Sequence, residues 1–302
     1  MLVFVFLFLL DLRKVAAVYH SLQYIYIASS GIPSFPEFVA VGLVDGTEVI
    51  YYDSNIKKAI PKQDWMNKVT EDDPQYWDFQ TRGLSGTQRS FMNSIEVAKQ
   101  RFSQTGGPHI FQNMYGCEWE DEYEEVQGWE QFGYNGQDFI AFDLTTEKWT
   151  AGAPQAVITK HKWDNDKFKV AETKNYITQI CPVWLKKYLA YGKRSLMRTD
   201  LPSVSFLQKT SSSPVSCHAT GFYPNRAEMF WRKDGEEVHD GVDKGEILPN
   251  NDGTFQMSVD IDLSSVAAED WTKYECVFQL SGVKEDVTHR LEKTRILTNE
   301  CK

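Results

Sequence analysis

Residues 129–142, with the sequence WEQFGYNGQDFIAF, decide the fold of the first two thirds of the chain. The dipeptide Asn135-Gly136 favours a tight hairpin turn, because both residues readily adopt the left-handed backbone that such a turn requires. Residues 129–134 and 138–142 on either side have the pattern of strands. The stretch therefore predicts two antiparallel strands joined by a two-residue turn.

The sequence around this hairpin extends the pattern in both directions. Residues 109–115 predict a further strand before it, and residues 154–191 predict a helical stretch after it. Pro182 lies inside that stretch and must break or kink the helix, because proline lacks the backbone donor that a helix interior needs. We therefore expect strands followed by a broken helix.

The first third of the chain repeats this plan of strands before a helix. Strand patterns occur at residues 22–27, 38–44 and 48–52. Asp45-Gly46 joins the last two as a hairpin turn. Asp73-Pro74 then predicts a helix start, because a capping residue precedes proline at the first helical position.

After this start, apolar residues recur at the spacing of a helix. They are Phe91, Ile95, Ala98 and Phe102. Gly83 and Gly86 weaken the middle of this helix, so we expect its order to depend on packing or on a ligand. The repeated plan predicts an α+β fold, in which an antiparallel sheet platform is topped by two helices that form a groove.

A different pattern, of short strands and turns, begins near Leu201. Cys217 is followed by Trp231 and then by Cys276, and Tyr274 stands two residues before the second cysteine. This cysteine–tryptophan–cysteine pattern is typical of an immunoglobulin β-sandwich. The segment 221–224, Gly-Phe-Tyr-Pro, is similar to the constant type.

The amino terminus predicts secretion. Residues 2–10 form an apolar run that Val15-Ala16-Ala17 follows, as in the core and cleavage site of a signal peptide, so residues 1–17 are interpreted as one. The run is too short to span a bilayer, and no later segment of the sequence is apolar enough to do so. Secretion favours disulfides over free cysteines.

Four of the five cysteines allow three different pairings. Their order along the chain favours Cys117–Cys181 and Cys217–Cys276, and it leaves Cys301 over. The six histidines are scattered and no Cys-x-x-Cys pair occurs, so we predict neither a metal site nor a cofactor.

The composition argues against two further classes of function. The net charge of −10 disfavours a nucleic-acid partner, because the phosphate backbone would be repelled. We find no nucleophile–base set and no glycine-rich phosphate loop, so we do not expect an enzyme.

Several segments, in the same order, resemble the heavy-chain ectodomain of peptide-presenting class I major histocompatibility molecules. They are Pro74-Gln75-Tyr76-Trp77-Asp78, Met114-Tyr115-Gly116-Cys117, Thr159-Lys160-His161-Lys162-Trp163, Cys181 through Trp184-Leu185 to Tyr188-Leu189, and Arg198-Thr199-Asp200. The similarity covers residues 18–295. It is therefore more specific than one short motif.

This resemblance implies a domain order and a set of partners. Residues 18–106 and 107–199 would form the two halves of the peptide-binding platform, residues 200–295 the immunoglobulin domain, and residues 296–302 a tail leading to a membrane anchor. The implied partners are a short peptide, beta-2-microglobulin and a T-cell receptor at the cell surface. The acidic loop bounded by Glu236 and Glu246 is a candidate contact for a T-cell co-receptor.

The resemblance also implies which side chains would hold a peptide. Those matching the ligands of the peptide's amino terminus are Tyr24, Tyr76, Tyr176, Trp184 and Tyr188. Those matching the ligands of its carboxyl terminus are Arg101, Thr159, Lys162 and Trp163, and the pocket for the last side chain would be lined by Phe111, Asn113, Phe132 and Phe139. Mammalian members have tyrosine at the position of Arg101, whereas arginine is similar to non-mammalian vertebrate members such as those of bony fish.

These residue types suit a ligand of variable sequence. Such a ligand can be held only through its backbone and its two charged ends, for which tyrosine hydroxyls and charge-assisted bonds from Arg101 and Lys162 are suitable. Three phenyl rings without an acidic group at the base of the pocket predict an aliphatic last residue. Taken singly, a tyrosine is more often core packing, and Arg101 and Lys162 are more often solvated helix residues.

Alternatives and several questions stay open at this point. A class I-like relative that binds a lipid, an immunoglobulin constant region or nothing would share the fold, although lipid-binding relatives tend to lose the polar end clamps. No Asn-x-Ser/Thr sequence occurs in the chain, so the family's usual glycosylation acceptor is absent. The sequence leaves open the full peptide motif and length, the receptors, the expression pattern, the anchoring of the natural product and the role of Cys301.

Overall fold

The computed structural model describes residues 19–120 and 125–299. The predicted signal peptide and Cys301 lie outside these residues. The first domain is one antiparallel eight-stranded sheet in the order β4-β3-β2-β1-β5-β6-β7-β8. Its strands are β1 (Tyr19–Ser30), β2 (Phe38–Val44), β3 (Thr47–Asp53), β4 (Ile60–Pro61), β5 (His109–Glu120), β6 (Val126–Tyr134), β7 (Gln137–Asp143) and β8 (Lys148–Ala151).

Both predicted hairpin turns are present. Asn135 and Gly136 have φ angles of 51° and 78° and join β6 to β7. Asp45 and Gly46 have 49° and 77° and join β2 to β3. The two pairs thus have the left-handed backbone that a two-residue hairpin needs. Because β1 pairs with β5, the two halves form one continuous sheet.

Helices cover one face of this sheet. They are α1 (Lys68–Asp72), α2 (Tyr76–Arg101), α3 (Val157–Asn165), α4 (Lys167–Asn175) and α5 (Cys181–Leu196). The helix α2 starts at Tyr76, later than the predicted start at Asp73-Pro74, because the Asp73 carboxylate accepts a hydrogen bond from the Gln75 N–H and forms a turn there. It runs without a break through both of its glycines.

The second helical segment is interrupted twice. At Asp166 the chain leaves the helix, and the Asp166 carboxylate caps α4 by accepting hydrogen bonds from the N–H groups of Phe168 and Lys169. A π-helical turn, Tyr176–Ile180, separates α4 from α5. Pro182 lies in the first turn of α5, where its missing donor costs nothing. The break near Pro182 was predicted and the break at Asp166 was not.

The second domain is a sandwich of two sheets. The sheet β13-β15-β10-β9-β18, with β14 beside β15, faces the sheet β12-β11-β16-β17. The strands are β9 (Ser203–Gln208), β10 (Val215–Phe222), β11 (Ala227–Lys233), β12 (Glu236–Val238), β13 (Val242–Lys244), β14 (Leu248–Pro249), β15 (Phe255–Ile261), β16 (Tyr274–Leu280), β17 (Val287–Arg290) and β18 (Ile296–Thr298). The predicted immunoglobulin sandwich is confirmed.

Both favoured disulfides are present. Cys217–Cys276 joins β10 to β16, and Trp231 is fully buried between the sheets, where its Nε1–H donates to the Val259 carbonyl at 3.1 Å. Cys117–Cys181 joins β5 to the first residue of α5. The second bond therefore fixes the start of α5 to the floor of the platform.

One local prediction is wrong. The segment bounded by Glu236 and Glu246 is not an acidic loop, because most of it lies in strands. Its residues form β12, which pairs with β11, and β13, which pairs with β15, so the segment crosses from one sheet to the other. Among the residues that the structure describes, no helix has the length and apolar character needed to cross a membrane.

Candidate functional site

A cavity of about 590 Å³ lies between the helices above the middle of the platform. Side chains of α2 form one wall, those of α3 and α4 form the other, and alternate residues of β1, β5, β6 and β7 form the floor. The residues that line it include Tyr26, Phe91, Arg101, Phe111, Asn113, Tyr115, Glu130, Phe132, Phe139, Thr159, Lys162, Trp163, Lys169, Thr173 and Tyr176. This volume suits a ligand larger than a single amino acid.

A cluster of tyrosines closes one end of the groove. It consists of Tyr24, Tyr26, Tyr76, Tyr115, Tyr176 and Tyr188, which come from β1, β5, the start of α2, the π-helical turn and α5. Tyr24 and Tyr115 are cross-strand partners with stacked rings 5.3 Å apart. The hydroxyls of Tyr76 and Tyr188 are 2.5 Å apart, and those of Tyr26 and Tyr115 are 2.6 Å apart.

Burial keeps these phenols neutral. It raises the pKa of Tyr24 to about 12, and it also raises the pKa of Tyr76 and of Tyr188, because the low-dielectric interior disfavours the phenolate. A neutral phenol both donates and accepts a hydrogen bond. The cluster can therefore satisfy the ammonium group or the first amides of a peptide without carrying a charge of its own.

Trp184 forms the wall at this end. Its ring lies 5.3 Å from that of Tyr76 and 5.7 Å from that of Tyr188. The structure thus brings all five residues predicted for the amino-terminal end together. Sequence reasoning missed Tyr26 and Tyr115, although Tyr26 follows Tyr24 by two residues and so shares its face of β1.

Cationic side chains mark the opposite end. The Arg101 guanidinium, at the last residue of α2, donates a hydrogen bond to the Thr159 hydroxyl of α3 at 2.5 Å and a longer one to the Gln155 carbonyl at 3.4 Å. Lys162 is exposed on α3 one turn further on and borders the same cavity. The structure therefore brings the predicted carboxylate ligands together.

Trp163 packs beneath these cations. Its ring contacts Phe132 at 5.3 Å and Trp149 at 4.5 Å. Trp149, a fully buried residue of β8, supports it from below. The indole of Trp163 is thereby held at the edge of the cavity.

An aromatic pit lies below the cationic end. The rings of Phe111 and Phe132 are 5.9 Å apart and those of Phe111 and Phe139 are 6.1 Å apart, and all three are almost completely buried. Phe91 of α2, which was not among the predicted site residues, closes the pit at 5.5 Å from Phe111. Asn113 is buried beside them and donates from Nδ2 to the Gln131 carbonyl at 3.2 Å.

A carboxylate that was not among the predicted site residues also borders the cavity. The Glu130 carboxylate lines the same cavity as the three phenyl rings. Glu130 lies two residues before Phe132 on β6, so strand alternation directs both side chains to the groove. That alternation is visible in the sequence, and it could have identified Glu130.

Within residues 19–120 and 125–299, no group of three or more histidine, cysteine, aspartate or glutamate side chains could hold a metal ion. The site is built from aromatic rings, hydroxyls and separate charges.

Comparison with known proteins shows the same two domains. The sequence profile of "Class I Histocompatibility antigen, domains alpha 1 and 2" matches residues 18–196, and that of the "Immunoglobulin C1-set domain" matches residues 201–282. The chain is 37% identical to the class I histocompatibility antigen F10 alpha chain of Gallus gallus over 260 residues, which is 85% of this chain and 73% of the relative.

Two further relatives show the breadth of the similarity. The major histocompatibility complex class I-related protein 1 of Rattus norvegicus is 38% identical over 248 residues, or 81% of this chain and 71% of the relative. The H-2 class I histocompatibility antigen K-K alpha chain of Mus musculus is 33% identical over 281 residues, or 90% of this chain and 74% of the relative. Members of the family are not enzymes. The extent of these matches shows that this chain belongs to the class I histocompatibility antigen heavy-chain family.

Proposed function

We propose that this chain binds short peptides in a groove with closed ends and displays them to T-cell receptors, as a heavy chain paired with beta-2-microglobulin. The observation that carries the proposal is the different chemistry of the two ends of the groove. Neutral tyrosine hydroxyls, including those of Tyr76 and Tyr188, gather at one end. The cations of Arg101 and Lys162 border the cavity at the other.

This polarity fits the two termini of a peptide. A peptide ammonium group is a donor that the phenol and π-faces of the tyrosine end can satisfy. A peptide carboxylate is an acceptor that arginine and lysine bind through charge-assisted hydrogen bonds. Neither contact depends on the peptide's side chains, so one groove can accept many sequences.

The same polarity argues against a lipid ligand. An acyl chain offers neither a terminal ammonium group nor a carboxylate at the required spacing, so it would gain no hydrogen bond from the tyrosine hydroxyls or from the Arg101 guanidinium. The relatives include both class I antigens and class I-related proteins at similar identity, so the nature of the ligand requires a direct test.

The lower face of the platform supports pairing with a light chain. Ile25 and Met114 are cross-strand partners on β1 and β5. They point away from the groove, because their neighbours Tyr24, Tyr26, Asn113 and Tyr115 face it. Met114 is 36% exposed, in a position where a second immunoglobulin domain could cover it. Class I relatives are cell-surface proteins, and we propose the same location here.

The test is to identify what the purified complex carries. The chain is expressed in cells with beta-2-microglobulin, purified and eluted with acid, and the eluate is analysed by mass spectrometry for both peptides and lipids. We expect peptides of a narrow range of lengths. An eluate that contains lipid and no peptide ladder would overturn the proposal.

A matched pair of variants tests whether the eluted peptides were bound in the groove. Arg101→Leu removes a cation from the proposed carboxylate site, and we expect it to lower the peptide yield per mole of complex. Arg82→Leu removes an exposed arginine of the same helix that does not border the cavity, and it serves as the control. Equal loss in both variants would mean that the peptides are not held at this site.

A further inference from the structure

One carboxylate on the floor of the groove lies apart from both of the proposed terminal sites. Glu130 lies on β6 directly opposite Tyr115 of β5, and its side chain is 14% exposed. It borders the main cavity between the tyrosine end and the aromatic pit. A charged group this deeply buried requires a partner to be tolerated.

The partners of Glu130 come from α4. The Thr173 hydroxyl donates to Oε2 at 3.0 Å, and the Lys169 ammonium group lies 3.7 Å from Oε1, beyond an ordinary hydrogen bond. The same ammonium group lies over the rings of Trp149 at 5.4 Å and Trp163 at 5.2 Å. The Lys169 ammonium group thus interacts both with the carboxylate and with the faces of two aromatic rings.

The remaining charges that border the cavity do not replace Lys169. Arg101 is bonded to Thr159 of the facing helix, and Lys162 is exposed near the cationic end. Glu172 is exposed on α4 and has the same sign as Glu130, so it disfavours the Glu130 anion further. Burial raises the pKa of Glu130, whereas Lys169 and the Thr173 hydroxyl oppose that rise. The carboxylate is therefore incompletely compensated.

The side chains of Glu130 and Lys169 differ in how freely they can move. Glu130 is fixed on a central strand, whereas Lys169 lies at the rim with a side chain that is 27% exposed and has a flexible stem. A cation that entered the groove could displace the Lys169 ammonium group toward water and still meet Glu130. An entering anion would instead lie beside Glu130 and be repelled.

We propose that Glu130 selects ligands with an arginine or lysine side chain at an interior position of the peptide. This inference rests on the proposed function, since it concerns a peptide already held at both ends. The specificity comes from exchange, in which the ligand's cation takes the place of Lys169 beside the carboxylate and adds hydrogen bonds that Lys169 does not make at 3.7 Å.

The test uses peptide pairs that differ in charge and hardly in shape. Arginine and its neutral isostere citrulline are placed in turn at each interior position of a peptide with an aliphatic carboxyl-terminal residue. Affinity for the complete heavy chain–light chain complex is measured by competition with a fluorescent peptide. At one interior position or more we expect arginine to bind about tenfold more tightly than citrulline.

Three variants locate the effect. Glu130→Gln keeps the shape and removes the charge, and we expect arginine and citrulline then to bind within about twofold of each other. Lys169→Met removes the competing cation, and we expect the preference for arginine to increase. Glu147→Gln is the control. It removes a carboxylate that lies outside the main cavity, 2.7 Å from the Lys174 ammonium group, and we expect the preference for arginine to stay as in the unmodified chain.

The outcomes separate this inference from the proposed function. If amidation of the peptide's carboxyl terminus weakens binding but arginine and citrulline bind equally at every interior position, the role of Glu130 is wrong and peptide binding stands. A preference for arginine that persists in Glu130→Gln would also overturn that role. If no peptide binds, both proposals are wrong.

Discussion

Arg101, the last residue of α2, donates a hydrogen bond from its guanidinium to the hydroxyl of Thr159 on the facing helix at 2.5 Å. At the other end of the same helix, the first residue, Tyr76, is hydrogen-bonded to Tyr188 of α5. The two walls of the groove are therefore in contact at both ends of α2. A helix of 26 residues rises about 38 Å between its ends, which corresponds to about eleven residues of extended chain.

The Arg101 contact predicts that the peptide's terminal carboxylate contributes strongly to affinity. Amidation removes its charge, so the bonds from Arg101 and Lys162 lose their charge-assisted character. We expect a cost of about 1.5–3 kcal/mol, or roughly ten- to a hundredfold in Kd. Competition binding of acid and amide forms of one peptide measures it. The Arg101→Leu variant should reduce this difference, and indifference of the unmodified complex to amidation would remove both cations from the site.

The aromatic pit predicts which last residue is accepted. A leucine, isoleucine, valine or methionine side chain that enters between Phe111, Phe132 and Phe139 should gain about 1.5–3 kcal/mol by burial. A terminal lysine or arginine would have to place its charge among phenyl rings, which is unfavourable without a partner. A panel of peptides that differ only in the last residue measures the difference. Equal affinity for terminal lysine would show that this side chain reaches Glu130 and that the pocket is misplaced.

Local chemistry made much of the fold predictable. The two hairpin turns were found because Asp45-Gly46 and Asn135-Gly136 have a backbone requirement that depends on their own residues. The immunoglobulin domain was found because its buried cysteines and Trp231 have characteristic spacing. The break at Asp166 was missed because no glycine or proline marks it, although Asp166 is itself a capping residue.

The candidate site was predictable in its residues and less so in its electrostatics. The resemblance to the family supplied Tyr24, Arg101 and the three phenylalanines of the pit. It supplied no information on Glu130, whose importance depends on which cations lie near it in space. Lys169 is distant from Glu130 in sequence and approaches it only because α4 folds over β6.

The bond between Cys117 and Cys181 predicts a specific loss of peptide retention. It closes a separation of 64 residues, for which the chain-entropy model gives about 4 kcal/mol of stabilisation. Replacing both cysteines by serine should therefore loosen the start of α5 and speed peptide dissociation, while the immunoglobulin domain keeps its own disulfide. Dissociation rates of a labelled peptide measure this. Cys301→Ser is the control, and equal acceleration in that variant would contradict the role of this bond.

The lower face of the platform predicts dependence on a light chain. We expect refolding without beta-2-microglobulin to yield aggregate, because apolar side chains such as Ile25 and Met114 would remain uncovered. Met114→Asp should weaken light-chain binding by about 2 kcal/mol or more if Met114 is central to the interface. Phe79→Asp changes an exposed apolar residue of α2 and should leave it unchanged. A monodisperse heavy chain that binds peptide alone would count against the prediction.

The tyrosine cluster predicts a loss of stability in alkali. Burial raises the pKa of Tyr24 to about 12 from an ordinary 10.0. Since the folded-state pKa is the higher one, the stability linked to this group is fully present below pH 10.0 and is lost as the pH rises through 12. Between these two pH values, Tyr24 should lower the free energy of unfolding by about 1.4 kcal/mol for each pH unit. Urea denaturation of the complex across this pH range measures the slope, and Tyr24→Phe should make it shallower. If the slope is the same in this variant, ionisation of Tyr24 does not destabilise the folded state.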